Sequence, residues 1–277
     1  MADRAVSILV HAPSKTGKTT FSTTGPKPML FLDVEKASRF IRAKKIKWNP
    51  LTEAPPVADG SWEICVVNVD DWKKAEKAYE WLKSRQHPFR SVVLDSISEL
   101  QDKARQDIKG RQQFQTQDWG KLLARMADFC RDLRDLTGDD DNTIEAVIIT
   151  AMTREIEGIY KPHLQGQVSA QIPYWFDITA YMYVTPVTDT TTGEVVDVRN
   201  LLVGKHPNYE SGNRVPGLPT VIENPNVVQM LNDIFGPSEL DAPAAVAAAD
   251  VVPPAAVAAA APVEEPETTG FPAPPAL

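Results

Sequence analysis

The sequence predicts an α/β fold in which a mostly parallel central sheet is covered by helices on both faces. Short apolar segments rich in β-branched residues alternate along the chain with segments whose apolar residues repeat at helical spacing. Several apolar segments lack polar alternation, which is typical of strands buried on both faces of a parallel sheet. Two later segments flank a turn-like sequence, so we also expect a C-terminal antiparallel hairpin that extends the sheet.

The individual elements follow from local pattern. The predicted strands, in chain order, are 6–10, 29–33, 63–69, 91–95, 146–151, 177–184 and 195–203. A turn at 189–193 (DTTTG) joins the last two strands. Apolar residues at helical spacing predict helices at 71–84, 118–136 and 227–234, with Asp70 or Asp71 capping the first. The apolar side of the second helix comprises Trp119, Leu122, Leu123, Met126, Phe129, Cys130 and Leu133.

The chain divides by composition into a domain, residues 1–236, and a tail, residues 237–277. The tail after Asp241 is mostly Ala and Pro, and its eight prolines interrupt any helix. Such a segment buries too little surface to offset its ordering entropy, so we expect it to be disordered. It also carries six acids and no Lys or Arg, and removing these six from the formal charge of −8 leaves −2. The domain is thus nearly neutral, and local basic patches can act within it.

Composition also bears on the compartment. The two cysteines, Cys65 and Cys130, lie among apolar residues, which indicates buried reduced thiols. The N-terminal residues show no charged-then-apolar signal pattern, and no apolar run approaches the ~20 residues that cross a bilayer. We therefore expect a cytoplasmic protein without a membrane partner.

The strongest functional signal is a polar, glycine-containing loop between the first strand and a predicted helix. In this position the pattern predicts a phosphate-binding Walker A loop, whose backbone amides surround an anion. Lys18 should reach the β- and γ-phosphates of ATP, and the Thr19 hydroxyl should ligate Mg²⁺. Ala12 stands where the motif has its first glycine. The predicted nucleotide-binding residues are Ala12, Pro13, Ser14, Lys15, Thr16, Gly17, Lys18, Thr19 and Thr20.

Two acidic residues follow later strands. Asp95 ends the apolar run VVLD, a Walker B pattern whose carboxylate would hold Mg²⁺. Glu35 follows the strand ending at Asp33, and the carboxyl ends of parallel strands meet at one edge. Glu35 is therefore either a general base that orients the attacking water or a solvated loop acid, and spacing alone does not decide between them.

Four segments taken together, LFLDVEKA, SVVLDSISEL, DWGKLLARMADFCRDL and VIITAMTREIEG, resemble the core of RecA-like P-loop ATPases. They occur in the same order and at similar spacing, and the resemblance covers residues of roughly 5–235. The chain is similar to the phage branch counted among single-strand annealing or recombination proteins. The resemblance implies that Glu35 is the catalytic carboxylate beside Lys18, and that the nucleotide-sensing position falls near Thr150 or Thr153.

The resemblance also implies sites for single-stranded DNA and for a neighbouring subunit. Residues of about 103–117 match a first DNA-contacting loop, with Phe114 as a stacking group, and residues of about 153–171 match a second. The alternatives for these two segments are a solvated helix face and an ordinary surface loop. Lys205 and Arg214 match charges inserted into a neighbour's ATP site, or else form surface ion pairs. The candidate DNA-binding residues are Lys103, Arg105, Lys109, Arg111, Arg154 and Lys161.

The expected function is ATP-dependent action on single-stranded DNA in recombination, by annealing or strand exchange. The candidate partners are single-stranded DNA, a single-strand-binding protein and further copies of the chain, in the host cytoplasm if the chain is phage-encoded. A nucleotide-dependent switch or assembly factor that binds a protein partner without DNA is the alternative. A small-molecule kinase would need an arginine-rich lid, and the sequence contains no such segment.

Overall fold

A computed structural model of the chain describes residues 4–138, 143–188 and 193–238. Eleven strands are assigned in these ranges: β1 (Val6–Ala12), β2 (Met29–Asp33), β3 (Lys45–Lys47), β4 (Ile64–Asn68), β5 (Ser91–Asp95), β6 (Ala146–Ile156), β7 (Ile159–Pro162), β8 (Ile178–Thr188), β9 (Val195–Leu202), β10 (Gly212–Asn213) and β11 (Val221–Glu223). The α-helices are α1 (Lys18–Ser22), α2 (Trp72–Lys83), α3 (Ile97–Lys109), α4 (Thr116–Asp135), α5 (Val168–Gln171) and α6 (Val227–Phe235). The predicted tail, from residue 239 onward, and residues 189–192 of the predicted turn lie outside the described residues.

The strands form one sheet in the order β11-β9-β8-β1-β6-β5-β2-β4-β3. From β8 to β3 every neighbouring pair is parallel. The carboxyl ends of β1, β2 and β5 therefore lie along one edge, with β6 between β1 and β5. This arrangement confirms the predicted mostly parallel α/β sheet.

Antiparallel strands extend the sheet beyond β8. The β8–β9 hairpin pairs eight residues on each strand, from Tyr181 opposite Leu202 to Thr188 opposite Val195. Strand β11 then pairs antiparallel with β9. The predicted C-terminal hairpin is thus confirmed, and it lies two strands away from β6.

Helices cover both faces of the sheet. On one face α2, α3 and α4 pack on a core that contains Leu32, Leu94 and Ile149. On the other face α1 and α6 pack on Val10, Phe31 and neighbouring apolar residues. The central strands are buried over nearly their whole length. This two-sided burial explains why they read as continuous apolar runs.

Local sequence explains where the helices begin. The side chain of Asp71 accepts a hydrogen bond from the backbone N–H of Lys73 at 3.0 Å, so it caps α2 as predicted. Helix α4 begins with a capping box, in which the Asp118 carboxylate accepts from the backbone N–H of Gln115 at 2.9 Å. Asn226 is the N-cap of α6, and its side chain accepts a hydrogen bond from the backbone N–H of Gln229 at 3.1 Å.

The structure departs from the sequence prediction at three places. The segment predicted as a first DNA-contacting loop, 103–117, is helical at both ends, because α3 runs to Lys109 and α4 begins at Thr116. Trp119, assigned to the apolar side of α4, is 39% exposed and contacts Phe114 at a ring-centroid distance of 5.1 Å. Strand β6 continues five residues past Ala151, into the hairpin with β7.

The two cysteines are buried as free thiols, in agreement with the sequence. Burial raises the pKa of the Cys65 thiol to about 12, so this thiol stays protonated at neutral pH. Among the helices that the structure describes, none is both long enough and apolar enough to span a membrane.

Trp72 joins α2 to α4 inside the first core. It is 1% exposed, its ring lies 5.1 Å from that of Phe129, and the Arg125 guanidinium stacks on it at 5.4 Å. We expect Trp72→Ala to lower the free energy of unfolding by about 3–5 kcal/mol, the range for a large buried aromatic. The matched variant Trp119→Ala should cost less than about 1.5 kcal/mol. Chemical denaturation of both variants checks this, and equal losses would contradict the packing described.

Candidate active site

The loop between β1 and α1 turns sharply around its own backbone. Gly17 adopts φ 108°, a conformation that favours glycine, and Lys15 has φ 65°. The Thr16 hydroxyl donates to the carbonyl of Pro13 within the loop. The amino group of Lys18 donates to the carbonyls of Ala12 at 3.0 Å and Pro13 at 2.9 Å. The loop is therefore closed on itself, with a cation held at its mouth.

Asp95, at the end of β5, lies opposite this loop. Its carboxylate accepts a hydrogen bond from the Thr19 hydroxyl at 2.7 Å and another from the buried hydroxyl of Thr150 on β6. Asp95 is 1% exposed, and burial raises the pKa of its carboxyl while the two hydroxyl donors oppose the shift. A buried carboxylate beside a hydroxyl oxygen is a donor set that suits Mg²⁺. The residues at this position thus fit the metal that the sequence predicts.

Glu35 reaches the same cleft from the end of β2. The Asp33 carboxylate accepts backbone N–H groups of Ala37 at 3.0 Å and Ser38 at 3.1 Å, which fixes the turn that carries Glu35. The Glu35 carboxylate accepts a hydrogen bond from the Ser96 hydroxyl, which follows Asp95 in the chain. Two strand ends therefore hold Glu35 and Asp95 on one side of the cleft.

Charge is balanced inside the cleft. Burial lowers the pKa of Lys18, and the carboxylates of Glu35 and Asp95 oppose that shift. The Lys18 ammonium is thus partly desolvated and faces two acids and a ring of backbone groups. A cation held in this way is positioned to bind an anion that enters the cleft.

The cleft has a volume of about 440 Å³. Most of the predicted loop lines it, together with Glu35 and Asp95. The remaining lining residues are Met152, Thr153, His163 and Arg199. Thr153 was a candidate sensor position, and His163 lies in the segment matched to the second DNA-contacting loop. Met152 and Arg199 were not predicted. Arg199 lies in the β8–β9 hairpin, 180 residues from Thr19 in sequence, and no motif marks it.

The cleft combines a turn-forming glycine, a lysine, a threonine hydroxyl and a buried carboxylate at the edge of a parallel sheet. The profile of the AAA_24 family, described as an AAA domain, matches residues 4–215 of the chain. The chain belongs to this AAA domain family. No curated protein matches the sequence. AAA domains of this type are P-loop ATPase domains, so the chain is a nucleotide-binding ATPase domain by family.

Within the AAA domain, the first group of candidate DNA-binding residues lies on α3 and the short loop after it. The Lys109 ammonium is 2.5 Å from the Asp118 carboxylate, and the Arg105 guanidinium is 3.7 Å from that of Asp102. Phe114, the predicted stacking group, packs partly buried against the first core. Lys103 lies on α3 and Arg111 is exposed after it. Two of the four cations thus already have an acidic partner.

The second group lies beside the cleft. Arg154 on β6 pairs with Lys161 on β7 across a tight hairpin. The same hairpin begins at Thr153 and is followed by His163, both of which line the cleft. The Ser98 hydroxyl donates to the carbonyl of His163 at 2.8 Å, which ties this segment to α3. Thr150 contacts Asp95 and Thr153 lines the cleft, so both candidate sensor positions are near the site.

Lys205 and Arg214, the predicted trans-acting residues, do not line this AAA domain's own cleft. Lys205 is exposed in the connection after β9. The Arg214 guanidinium donates to the carbonyls of Tyr174 at 3.1 Å and Phe176 at 3.2 Å, and lies 3.8 Å from Asp177. Asp177 precedes β8, at the sheet edge opposite the cleft.

His11 supports the loop from behind, on β1. Its Nε2 lies 2.8 Å from the Glu210 carbonyl and its Nδ1 lies 2.7 Å from the Thr153 hydroxyl. Because a carbonyl only accepts, Nε2 carries the proton in the neutral ring. Complete burial lowers the pKa of His11 to about 4. The ring is therefore neutral at physiological pH.

This shift predicts an acid-sensitive step in stability. The unfolded chain binds a proton at His11 near pH 6.5, whereas the folded chain resists it until about pH 4. The free energy of unfolding carries no penalty from His11 above pH 6.5, where the ring is neutral in both states. It falls by up to about 3 kcal/mol as the pH drops towards 4, because only the unfolded chain then binds the proton. The side-chain amide of His11→Gln keeps a donor for the Glu210 carbonyl but does not titrate, so this acid-dependent loss of stability should disappear. Urea denaturation from pH 7 to pH 4 checks it, and parallel curves for the two proteins would contradict it.

Proposed function

We propose that this AAA domain binds ATP with Mg²⁺ and hydrolyses it in the cleft formed by the ends of β1, β2 and β5. The observation that carries the proposal is the 2.7 Å contact between the Thr19 hydroxyl and the Asp95 carboxylate, beside Lys18. Thr19 on α1 and Asp95 at the end of β5 are 76 residues apart in sequence, yet together they form the donor set that a phosphate-bound Mg²⁺ requires.

The roles of the loop residues follow from their contacts. Lys18 exchanges the carbonyls of Ala12 and Pro13 for the phosphate oxygens, because a charged acceptor binds an ammonium more strongly than a carbonyl does. The backbone N–H groups from Ser14 to Thr20 surround the remaining phosphate oxygens. Mg²⁺, when held by Thr19 and Asp95, supplies positive charge against the phosphates.

Glu35 is the proposed general base. It lines the cleft from a turn that Asp33 fixes, and its carboxylate is oriented by the Ser96 hydroxyl. A carboxylate held in this way can accept a proton from a water that attacks the terminal phosphate. The fixed turn favours this role over that of a freely solvated acid.

The nucleoside lies, in this proposal, in an adjoining groove of about 510 Å³. The groove shares Thr19 and Thr20 with the phosphate cleft, so a nucleotide can occupy both without a break. Phe40 borders it, is 76% exposed, and carries the Arg39 guanidinium 4.6 Å from its ring. An exposed aromatic ring that borders this groove offers a stacking face to a base.

We further propose that the protein acts on single-stranded DNA during recombination, in the cytoplasm. The β6–β7 hairpin supports this, because its basic residues Arg154 and Lys161 stand directly next to the cleft-lining Thr153. Helix α3 begins directly after Asp95 and Ser96. Its Gln101 side chain accepts a hydrogen bond from the backbone N–H of Gln165 at 2.7 Å, which ties the segment after β7 to the helix. Nucleotide turnover can therefore be transmitted to this basic hairpin. Contacts of Lys205 and Arg214 with a second copy, and a single-strand-binding protein as partner, belong to the same proposal.

A nucleotide-dependent switch that binds a protein partner without DNA is the second candidate. Lys109 and Arg105 favour it, because their charges are already engaged by Asp118 and Asp102. A surface with its cations paired attracts phosphates less. Titration with DNA distinguishes the two candidates.

Glu35→Gln should bind ATP with the affinity of the wild type and hydrolyse it at least about 100-fold more slowly, the typical contribution of a general base. Lys18→Ala should instead lose ATP binding, because the loop then lacks its countercharge. Equilibrium binding of a fluorescent ATP analogue and phosphate release with Mg²⁺ measure both properties. Normal turnover by Glu35→Gln would exclude the base role, and unchanged affinity of Lys18→Ala would exclude the site.

A labelled single-stranded oligonucleotide should bind in the presence of ATP, with an affinity that falls steeply as salt is raised. Replacing both Arg154 and Lys161 by Ala should reduce the slope of log K against log salt by about 1.4, since each contact to single strands contributes roughly 0.7. The double variant Lys73→Ala, Lys77→Ala, on the exposed side of α2, is the charge-matched control. Absence of oligonucleotide binding with and without ATP would favour the protein-partner switch.

A further inference from the structure

Arg199 of β9 lies directly on the phosphate-binding loop. A Cβ atom placed on Gly17 would stand 2.6 Å from Nε of Arg199 and 2.9 Å from its Cδ. The Arg199 side chain therefore lies against the bare backbone of Gly17, and a side chain at that position would require Arg199 to shift. It lines the same cleft as Lys18, Glu35 and Asp95.

The hairpin fixes this position. Successive residues of a strand face opposite sides of the sheet, so Arg199 shares a face with Leu201, which is fully buried in the core that contains Phe21 of α1. Asn200 points to the other face, where its amide donates to the Thr185 hydroxyl at 3.1 Å. Strand β11 holds the backbone, because Asn224 N–H donates to the Arg199 carbonyl at 2.7 Å.

Within the ranges that the structure describes, no side chain forms a hydrogen bond or an ion pair with the Arg199 guanidinium, although Glu35 and Asp95 line the same cleft. A guanidinium carries five donors in a planar arrangement that matches phosphate oxygens two at a time. An unengaged Arg beside a phosphate-binding loop is therefore a complementary group for the anion.

We propose that Arg199 is a phosphate-binding residue that acts in cis, closing the nucleotide cleft of its own chain from the β8–β9 hairpin. The inference rests on the proposed ATP site and adds to it a second cation opposite Lys18. It also gives the hairpin a function, since the antiparallel extension of the sheet carries a side chain back to the loop after β1.

Arg199 differs in this respect from Lys205 and Arg214. Lys205 is exposed in the connection after β9, and Arg214 is bound to backbone carbonyls at the opposite edge of the sheet. Those two residues could reach a nucleotide only in a neighbouring copy. Arg199 reaches the loop of its own chain.

Arg199→Met is the main test, because methionine keeps an unbranched apolar stem over Gly17 and removes the charge. Its affinity for a fluorescent ATP analogue should fall roughly 10- to 100-fold, the range for a lost charge-assisted hydrogen bond. Arg199→Lys should show a smaller loss, because it keeps the charge without the planar fork. Lys77→Ala, an exposed cation on α2, should bind as the wild type does.

Thermal unfolding without nucleotide separates binding from packing. Arg199→Met should melt near the wild-type temperature and show a smaller upward shift when ATP is added. A variant that binds ATP as the wild type does would overturn the inference, whatever its melting temperature.

A mixing experiment tests whether the residue acts in cis. At an ATP concentration near the wild-type Kd, Arg199→Met should be weakly active and Lys18→Ala inactive. If Arg199 acts in cis, their mixture is no more active than the Arg199→Met chains that it contains. Recovery of ATPase activity in the mixture would place Arg199 in a neighbour's site and overturn the inference.

If the wild type binds no ATP, the nucleotide site itself is wrong and the inference fails with it. If the wild type binds, Lys18→Ala does not and Arg199→Met is unaffected, the inference alone is wrong.

Discussion

The contact between the Thr19 hydroxyl and the buried Asp95 carboxylate is the constraint on which the rest of this site depends. It can form only if the loop after β1 and the end of β5 reach the same edge of the sheet, with β6 between them. Parallel pairing of the central strands meets this condition, and the helices on both faces make that pairing stable. Burial of an ionised carboxylate is costly, so Asp95 needs the hydroxyls of Thr19 and Thr150, or a cation, to compensate it. The fold therefore tolerates a destabilising group where metal-bound phosphate would be held.

Two further strands complete the site from opposite sides. Strand β2 brings Glu35 on a turn that Asp33 fixes, and the outer strand β9 brings Arg199 over Gly17. The phosphate loop thus lies between groups from the parallel centre of the sheet and from its antiparallel extension. The same geometry connects the cleft to the β6–β7 hairpin through Thr153 and to α3 through Ser96 and Ser98. The cleft is therefore in direct contact with α3 and with the hairpin that carries Arg154 and Lys161.

Some expectations from the sequence were right because they depend on short-range pattern. The strands read as buried apolar runs, and the loop from Pro13 to Thr20 has the residue types that a tight phosphate-binding turn requires. Short-range pattern decides less where helical and loop segments both contain many polar residues. The resemblance matched 103–117 to a loop and left a solvated helix face as the alternative. Most of the segment belongs to α3 and α4, and Lys109 is held by the Asp118 carboxylate that also caps α4. Trp119 has the right spacing for the core, but it is 39% exposed and its ring contacts that of Phe114.

The sequence by itself determined the α/β class, the phosphate-binding loop and the acids that end β2 and β5. These features are local, because a strand, a turn and a cap are each specified by residues within about ten positions of one another. Only the tertiary structure decided that Arg199 lies on Gly17, that Thr150 contacts Asp95 and that His163 lines the cleft. Those contacts join residues far apart in sequence, and they depend on strand order and on which face of a strand each side chain occupies. No short pattern encodes either quantity, since both follow from how the whole sheet pairs and packs.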